Sequence, residues 1–397
     1  VTQLLAFAGM AFFTGKSADG RAGLWRSDGS AQGTVLVFDG ETPSLTVLGD
    51  RMFFLRRAQG GVELWKTDGT GAGTEVFDLV PGGGYAVSLT SAGSRLFAFL
   101  KTDTTRLATL WASDGTQQGT LRLRDLDIDV VALPVDLRGR AFFDGNDGTT
   151  GFELWTSDGF PEGTRLVRDI YPGGESAFPR YLAAGDTTLF FLAADGVHGT
   201  SLWRTEGGSA TTRRVYDFGS FRYFQDVATI GDVAYFLPDA QLVPRGLWRS
   251  DGTAEGTFRL CSIPSSGGEV VRVGGTVFFA GDDGVHGQEL WASDGTPEGT
   301  RLVADINPGP AASWPEKLSA VGGALFFKAD DGQHGFEPWR SDGTTGGTRL
   351  VADVLPGRTG SHPGQFIEAG GHVYFTAPWT QDDLSNNDLG VWVLTAP

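Results

Sequence analysis

Apolar residues recur along this chain in short runs of four to six, broken by Gly, Asp and Pro every 8–12 positions. Runs rich in Val, Phe and Tyr and bounded in this way predict β-strands. No apolar spacing of three and four persists long enough to predict the helices that a parallel sheet requires. In the clearest stretch the pattern predicts strands over 269–273, 276–280, 289–293 and 300–305, with a loop over 282–287. Gly274-Gly275 and Asp294-Gly295 supply tight turns between them. Leu290 and Trp291 point to opposite faces of one strand and are both apolar, so both faces of that sheet are expected to be covered.

The same pattern repeats from end to end. The marker tryptophans are Trp25, Trp65, Trp111, Trp155, Trp203, Trp248, Trp291, Trp339 and Trp392, spaced 40 to 53 residues apart. A turn and an aromatic pair precede most of them: Phe12-Phe13, Phe53-Phe54, Phe142-Phe143, Phe190-Phe191, Tyr235-Phe236, Phe278-Phe279, Phe326-Phe327 and Tyr374-Phe375, with Phe97 and Phe99 in the third unit. A four-stranded antiparallel unit of this length, stacked many times, predicts the blades of a β-propeller. Eight units have four strands, here lettered a to d in chain order. The ninth, 365–397, stops before strand d. The first unit already owns its four strands, so the N-terminus has none to lend. The expectation is one propeller domain over 1–397 with nine blades, with eight blades plus an accessory hairpin as the alternative.

Composition narrows the function classes. Glycine is abundant (60 of 397) without a collagen triplet, and 40% hydrophobic residues exclude a disordered chain. The net charge of −17 opposes binding to nucleic acid or an anionic membrane. No apolar run is long enough to span a bilayer as a helix, so no membrane insertion is expected. The single cysteine, Cys261, excludes an intrachain disulfide; it is expected in the core slot filled elsewhere by Val303 and Val351. The chain starts at Val1 without a signal-peptide pattern, as in a mature or trimmed protein.

The phrases ELWKTDGTGAGT, ELWTSDGFPEGT and ELWASDGTPEGT resemble the bacterial ELWxxDGT-repeat proteins, and the resemblance covers essentially the whole chain. It implies a secreted or cell-surface location and brings no catalytic residues with it. Unit five (Thr205-Glu206-Gly207-Gly208) and unit nine depart from the motif and are expected to form distorted blades.

The recurrent aspartates Asp28, Asp68, Asp114, Asp158, Asp251, Asp294 and Asp342 read as turn formers. Asp-Gly accepts a positive φ, and the neighbouring hydroxyls can satisfy freed backbone groups. A calcium loop needs further oxygens at alternate positions, which these segments lack. The strand-d aspartates Asp169, Asp305 and Asp353 read the same way. No metal, cofactor or catalytic residue is expected: the chain carries no nucleophile elbow, zinc helix, phosphate loop or dinucleotide fingerprint.

Two sets of residues remain as candidate ligand contacts. Loops between strands b and c repeat Asp-Gly-x-His-Gly, with His198, His286 and His334. A histidine that closes its own loop and one that touches a ligand both fit. In the d–a connections, six residues after Pro172, Pro308 and Pro356, stand Phe178, Trp314 and His362, each followed by proline. The same offset from Pro81 gives Val87. The fifth connection adds Tyr223 among Phe218, Phe221 and Phe224, and the b–c insertion of unit nine adds Trp379. In an antiparallel blade the b–c and d–a connections share one face of the disc. Flat aromatics beside Asp, His and Arg suit sugar rings or peptide side chains. The expected function is a monomeric, non-catalytic recognition module for carbohydrate or protein. The alternatives are a hydrolase or lyase at the channel mouth, where carboxylates from different blades could meet, and a structural or adhesive module.

Overall fold

Each repeat folds into an antiparallel meander, because its β-branched and aromatic runs are joined by turns too short to carry the chain anywhere but back beside itself. The computed structural model describes residues 3–394, apart from 18–19, 43, 59–60, 82–84, 102–107, 129–133, 219–223, 239–244, 265–267, 381–382 and 384–388. Eight sheets have four strands in chain order and the ninth has three. Blade 7 is typical, with strands Val270–Val273, Thr276–Asp282, Gln288–Ser293 and Arg301–Ala304. Blade 9 has Phe366–Ala369, His372–Pro378 and Leu389–Leu394. Blade 1 has Gln3–Phe7, Met10–Lys16, Ala22–Ser27 and Val35–Asp39.

The a strands stand side by side around the axis, and strand a of blade 9 meets strand a of blade 1. Blades 1 and 2 are joined by packing of Phe7, Phe12 and Val37 against Met52 and Phe54, and by a hydrogen bond from Leu45 N–H to Gln3 Oε1, 3.1 Å. The nine blades therefore form a closed β-propeller, and residues 365–394 are its ninth blade, not a separate hairpin.

One packing rule recurs at most junctions. The first aromatic of a blade lies under the turn of the next, while under Gly159 and Gly252 that place is taken by Arg95 and Arg204. A Cβ on Gly295 would stand 2.4 Å from the Tyr235 hydroxyl, and one on Gly343 would stand 3.2 Å from Phe278. The closing junction repeats this contact, with Tyr374 against Gly29. The residue before the marker tryptophan faces forward to the next blade, and the tryptophan faces back. Leu290 and Trp291 are accordingly both buried, in two different clusters. Strand d carries a bulge opposite that dipeptide, between Leu290 and Trp291 in blade 7. The bulge pushes one aliphatic residue, Val303, forward against Phe327 and Trp339.

Two expectations need correction. Unit five is no distorted blade: it forms four regular strands, and a short 3₁₀ turn over Ser209–Thr211 replaces the missing Asp-Gly-Thr. In unit six the register pairs Trp248 with Arg259, as Trp291 pairs with Leu302. That places buried Leu260 in the slot of Val303 and shifts Cys261 one residue on, to the position of Ala304, where it is half-buried. Burial still pushes its thiol pKa up.

Candidate functional site: the loop face

The Asp-Gly-Thr turns consume their own polar groups. In blade 7, Thr296 N–H and Oγ1 both donate to Asp294 Oδ1, and Gly299 N–H donates to Thr296 Oγ1. The Ser293 and Thr300 hydroxyls bond each other at 2.8 Å. Thr296 thereby holds the Asp294 carboxyl below the usual carboxylate range. The second glycine leaves room for that carboxylate, since a Cβ on Gly299 would stand 2.0 Å from Asp294 Oδ1. The turn reading of these aspartates stands.

On the opposite face, the d–a connections are clamped from below by a residue that the sequence pattern marked only as the start of a strand. Glu153, Glu289 and Glu337, the acids of the ELW phrase, are fully buried. Glu289 accepts the N–H groups of Ile306, Asn307 and Ser313 and the Ser313 hydroxyl. Glu153 accepts from Ile170 and Tyr171, and Glu337 from Val354, Leu355 and the Ser361 hydroxyl. Burial pushes the Glu153 and Glu289 carboxyls up to about 7 against the pull of these donors, and Asp169 and Asp305 nearby add to the rise. The signal was present in the sequence. Units 2, 4, 7 and 8 are those with both the Glu and a proline-bearing connection after strand d.

Above each clamp, two successive N–H groups converge on one carbonyl. Ala177 and Phe178 donate to Phe152, Ser313 and Trp314 to Gln288, and Ser361 and His362 to Phe336. That convergence puts Phe178, Trp314 and His362 in the left-handed region, with φ of 49°, 50° and 45°. A left-handed backbone at a non-glycine residue costs on the order of 1–3 kcal/mol and clusters at functional positions. The side chains are turned outward: Phe178 is 47% exposed and Trp314 44%. Phe178 stacks on Phe152 at 5.5 Å with the Arg180 guanidinium over it, and lines a small cleft of about 220 Å³ with Tyr181 and Leu192. His362 is half-buried on Phe336, and burial with the nearby Lys328 pulls its pKa down.

The histidine loops share this face. A Cβ on Gly287 would stand 2.8 Å from the backbone of Ala311 and Ala312, and one on Gly335 would strike the backbone at Arg358 and Gly360. His286 and His334 therefore sit beside the connections that carry Trp314 and His362. Each histidine also closes its own loop. His198, His286 and His334 place Nδ1 2.8 Å from Asp195, Asp283 and Asp331. Burial pushes Asp283 up, but the N–H and ring of His286 outweigh it and bring the carboxyl down to about 2. The bonded carboxylate in turn raises the His286 pKa, and the ring stays about a third exposed.

The remaining candidates lie elsewhere. Trp379 packs on Trp392 with ring centroids 4.7 Å apart and planes tilted by 35°, in a cleft between blades 9 and 1 and away from the clamped connections. Phe218 and Phe224 are core residues, packed around Phe236 and Trp248. Tyr223 lies outside the described residues. Among the described residues, no three His, Cys, Asp or Glu side chains converge to hold a metal ion.

No family model and no curated protein sequence matches the chain. Solved structures with a similar arrangement include a puromycin hydrolase (17% identity, TM-score 0.41, over 85% of this chain and 59% of that one). Two prolyl endopeptidases are described by a second (13%, 0.46, over 85% and 54%). BamB from Moraxella catarrhalis is a third (13%, 0.45, over 82% and 92%). The chain thus spans little more than half the length of the puromycin hydrolase and prolyl endopeptidase structures. At these identities and TM-scores none of the likenesses bears on what this chain binds.

Proposed function

We propose that this protein is a secreted or cell-surface recognition module that binds carbohydrate, or protein side chains of similar flatness, through the b–c/d–a face. The observation that carries the reading is the trio at one offset: exposed Phe178 and Trp314 and half-buried His362, each held on strained left-handed backbone above a buried glutamate clamp. Turns built only for folding repeat the same residue, as the Asp-Gly-Thr turns do, whereas these positions keep the frame and vary the side chain. The likeness of the repeat to ELWxxDGT proteins supports export. The buried glutamates are sealed from solvent and spent on backbone donors, so they serve positioning and not acid–base chemistry.

A glycan array with the purified protein tests the reading. Saturable binding at several equivalent sites is expected. Trp314→Ala should weaken it by about 1 kcal/mol or more, in the manner of a truncated aromatic hot spot, with the melting temperature nearly unchanged. A large loss of stability with unchanged affinity would overturn the assignment of this face. Turnover of a bound polymer would move it to a hydrolase or lyase.

A further inference from the structure

The connection between blades 4 and 5 and the one between blades 7 and 8 share one backbone frame. Phe178 and Trp314 stand at φ of 49° and 50°, and three residues on, Tyr181 and Lys317 stand at 54° and 57°. Ala194 N–H donates to the Ala177 carbonyl and Asp330 N–H to that of Ser313, each at 2.9 Å. The residue two after the aromatic then pairs with strand b, Arg180 with Leu192 and Glu316 with Lys328, ahead of the same break in register. Side chains of opposite charge thus leave equivalent places. In the first connection the protein fills its own aromatic position: the Arg180 guanidinium lies over the Phe178 ring, 5.6 Å from its centre. In the second, among the described residues, no ring or cation lies over the exposed Trp314 indole. Glu316 is held from one side only. Lys328, largely buried and lying over Phe336, bonds Glu316 Oε2 at 2.8 Å. Oε1 has no partner among the described residues, and the side chain is 47% exposed.

We infer that Trp314 and Glu316 form a receptor for an exposed arginine of a partner protein. The guanidinium stacks on the indole and donates to Glu316 Oε1, so that the partner supplies in trans the group that Arg180 supplies to Phe178 in cis. Arginine suits both contacts, being planar, permanently charged and rich in donors, and tryptophan is the aromatic that holds a cation best. Charge favours the same class: a chain of net charge −17 attracts basic surfaces and repels acidic ones. The inference rests on the reading of this face given above, and of the two ligand classes allowed there it assigns Trp314 the protein side chain. The third position, His362, is followed at the same offset by Gly364 and carries neither charge.

The probe is the blocked peptide acetyl-Gly-Gly-Arg-Gly-Gly-amide, titrated into the full protein beside its citrulline counterpart, which keeps the planar shape and loses the charge. Saturable binding of the arginine peptide is expected, tighter than that of the citrulline peptide by about tenfold, the scale of a cation held over an aromatic face. Trp314→Ala should abolish the preference. Glu316→Gln, which keeps the size of the side chain and removes an ion pair of small worth to stability, should weaken the arginine peptide by a similar factor with the melting temperature nearly unchanged. Equal binding of the two peptides, or an arginine affinity that either variant leaves unchanged, would overturn the inference. The glycan array separates its failure from that of the face. Glycan binding that Trp314→Ala abolishes, with no preference for the arginine peptide, would overturn the arginine receptor and leave the face standing. Glycan and peptide binding both indifferent to Trp314→Ala would overturn the two together.

Discussion

At the scale of residues, the sequence spends its polar side chains on its own backbone. The Asp-Gly-Thr turn shows this most plainly, because its parts are useful only together. Asp251→Ala and Gly256→Ala should each cost about 0.5–2 kcal/mol, the usual range for point changes, the first by losing the Thr253 bonds and the second by displacing the same carboxylate. In a double-mutant cycle the two losses should be strongly non-additive, since both remove one set of contacts. Additive losses in chemical denaturation would refute the shared role. The clamp glutamates make a pH prediction of opposite sign to ordinary acid denaturation. Their folded pKa of about 7 lies above the unfolded value of 4.5, so the native state binds more protons between those limits. Their contribution is fully present below pH 4.5 and is lost as pH rises through 7. Asp283, at about 2 when folded against 3.8, works the other way: its contribution is present above pH 3.8 and lost as pH falls toward 2. Melting temperatures of the parent should fall between pH 5 and 8, and Glu289→Gln should flatten that slope. An unchanged slope would show that Glu289 does not titrate there.

At the scale of elements, the strands and turns were legible in the sequence because they depend on local chemistry. Alternation, aromatic pairs and Asp-Gly dipeptides placed blade 7 to within a residue or two at most strand ends. The clamps were not legible, although their residues were in view. A glutamate at the start of a strand reads as a solvent-facing acid, and only the folded connection, arriving from 17 to 24 residues later, explains its burial. The slip at Cys261 has a different cause. Counted from the Gly-Thr that opens strand d, Val303 and Val351 stand three residues on and Cys261 stands four, so the slot belongs to Leu260. The left-handed turns that present the aromatics were equally invisible, since nothing in Phe, Trp or His announces a positive φ. They allow a sharp test. Glycine accepts φ near 50° without strain, so Trp314→Gly should be at least as stable as Trp314→Ala and close to the parent while losing ligand binding. A clear drop in melting temperature for the glycine variant would mean that the indole packs for stability.

At the scale of the whole molecule, nine similar units close on themselves without exchanging a strand. Closure rests on packing: Tyr374 lies under the blade 1 turn, and Leu4, Ala11 and Ala369 fill the space beside it. Tyr374→Ala should cost about 3–5 kcal/mol, as for other emptied aromatic sites, and should lower the cooperativity of unfolding more than Tyr235→Ala, which makes the same contact in mid-ring. Equal effects on cooperativity would show that the closing junction is no different from the rest.

The three-stranded sheet of blade 9 gives this disc something a perfectly repeated ring would lack, a seam unlike the others. In an array where each unit is held by its neighbours, melting begins where the neighbour energy is smallest. The junction to test is the one between the three-stranded sheet of blade 9 and blade 1, where Phe13 is left partly uncovered. The ring should therefore behave as a split washer. It should part between blades 9 and 1 under heat or pulling while the other junctions still hold.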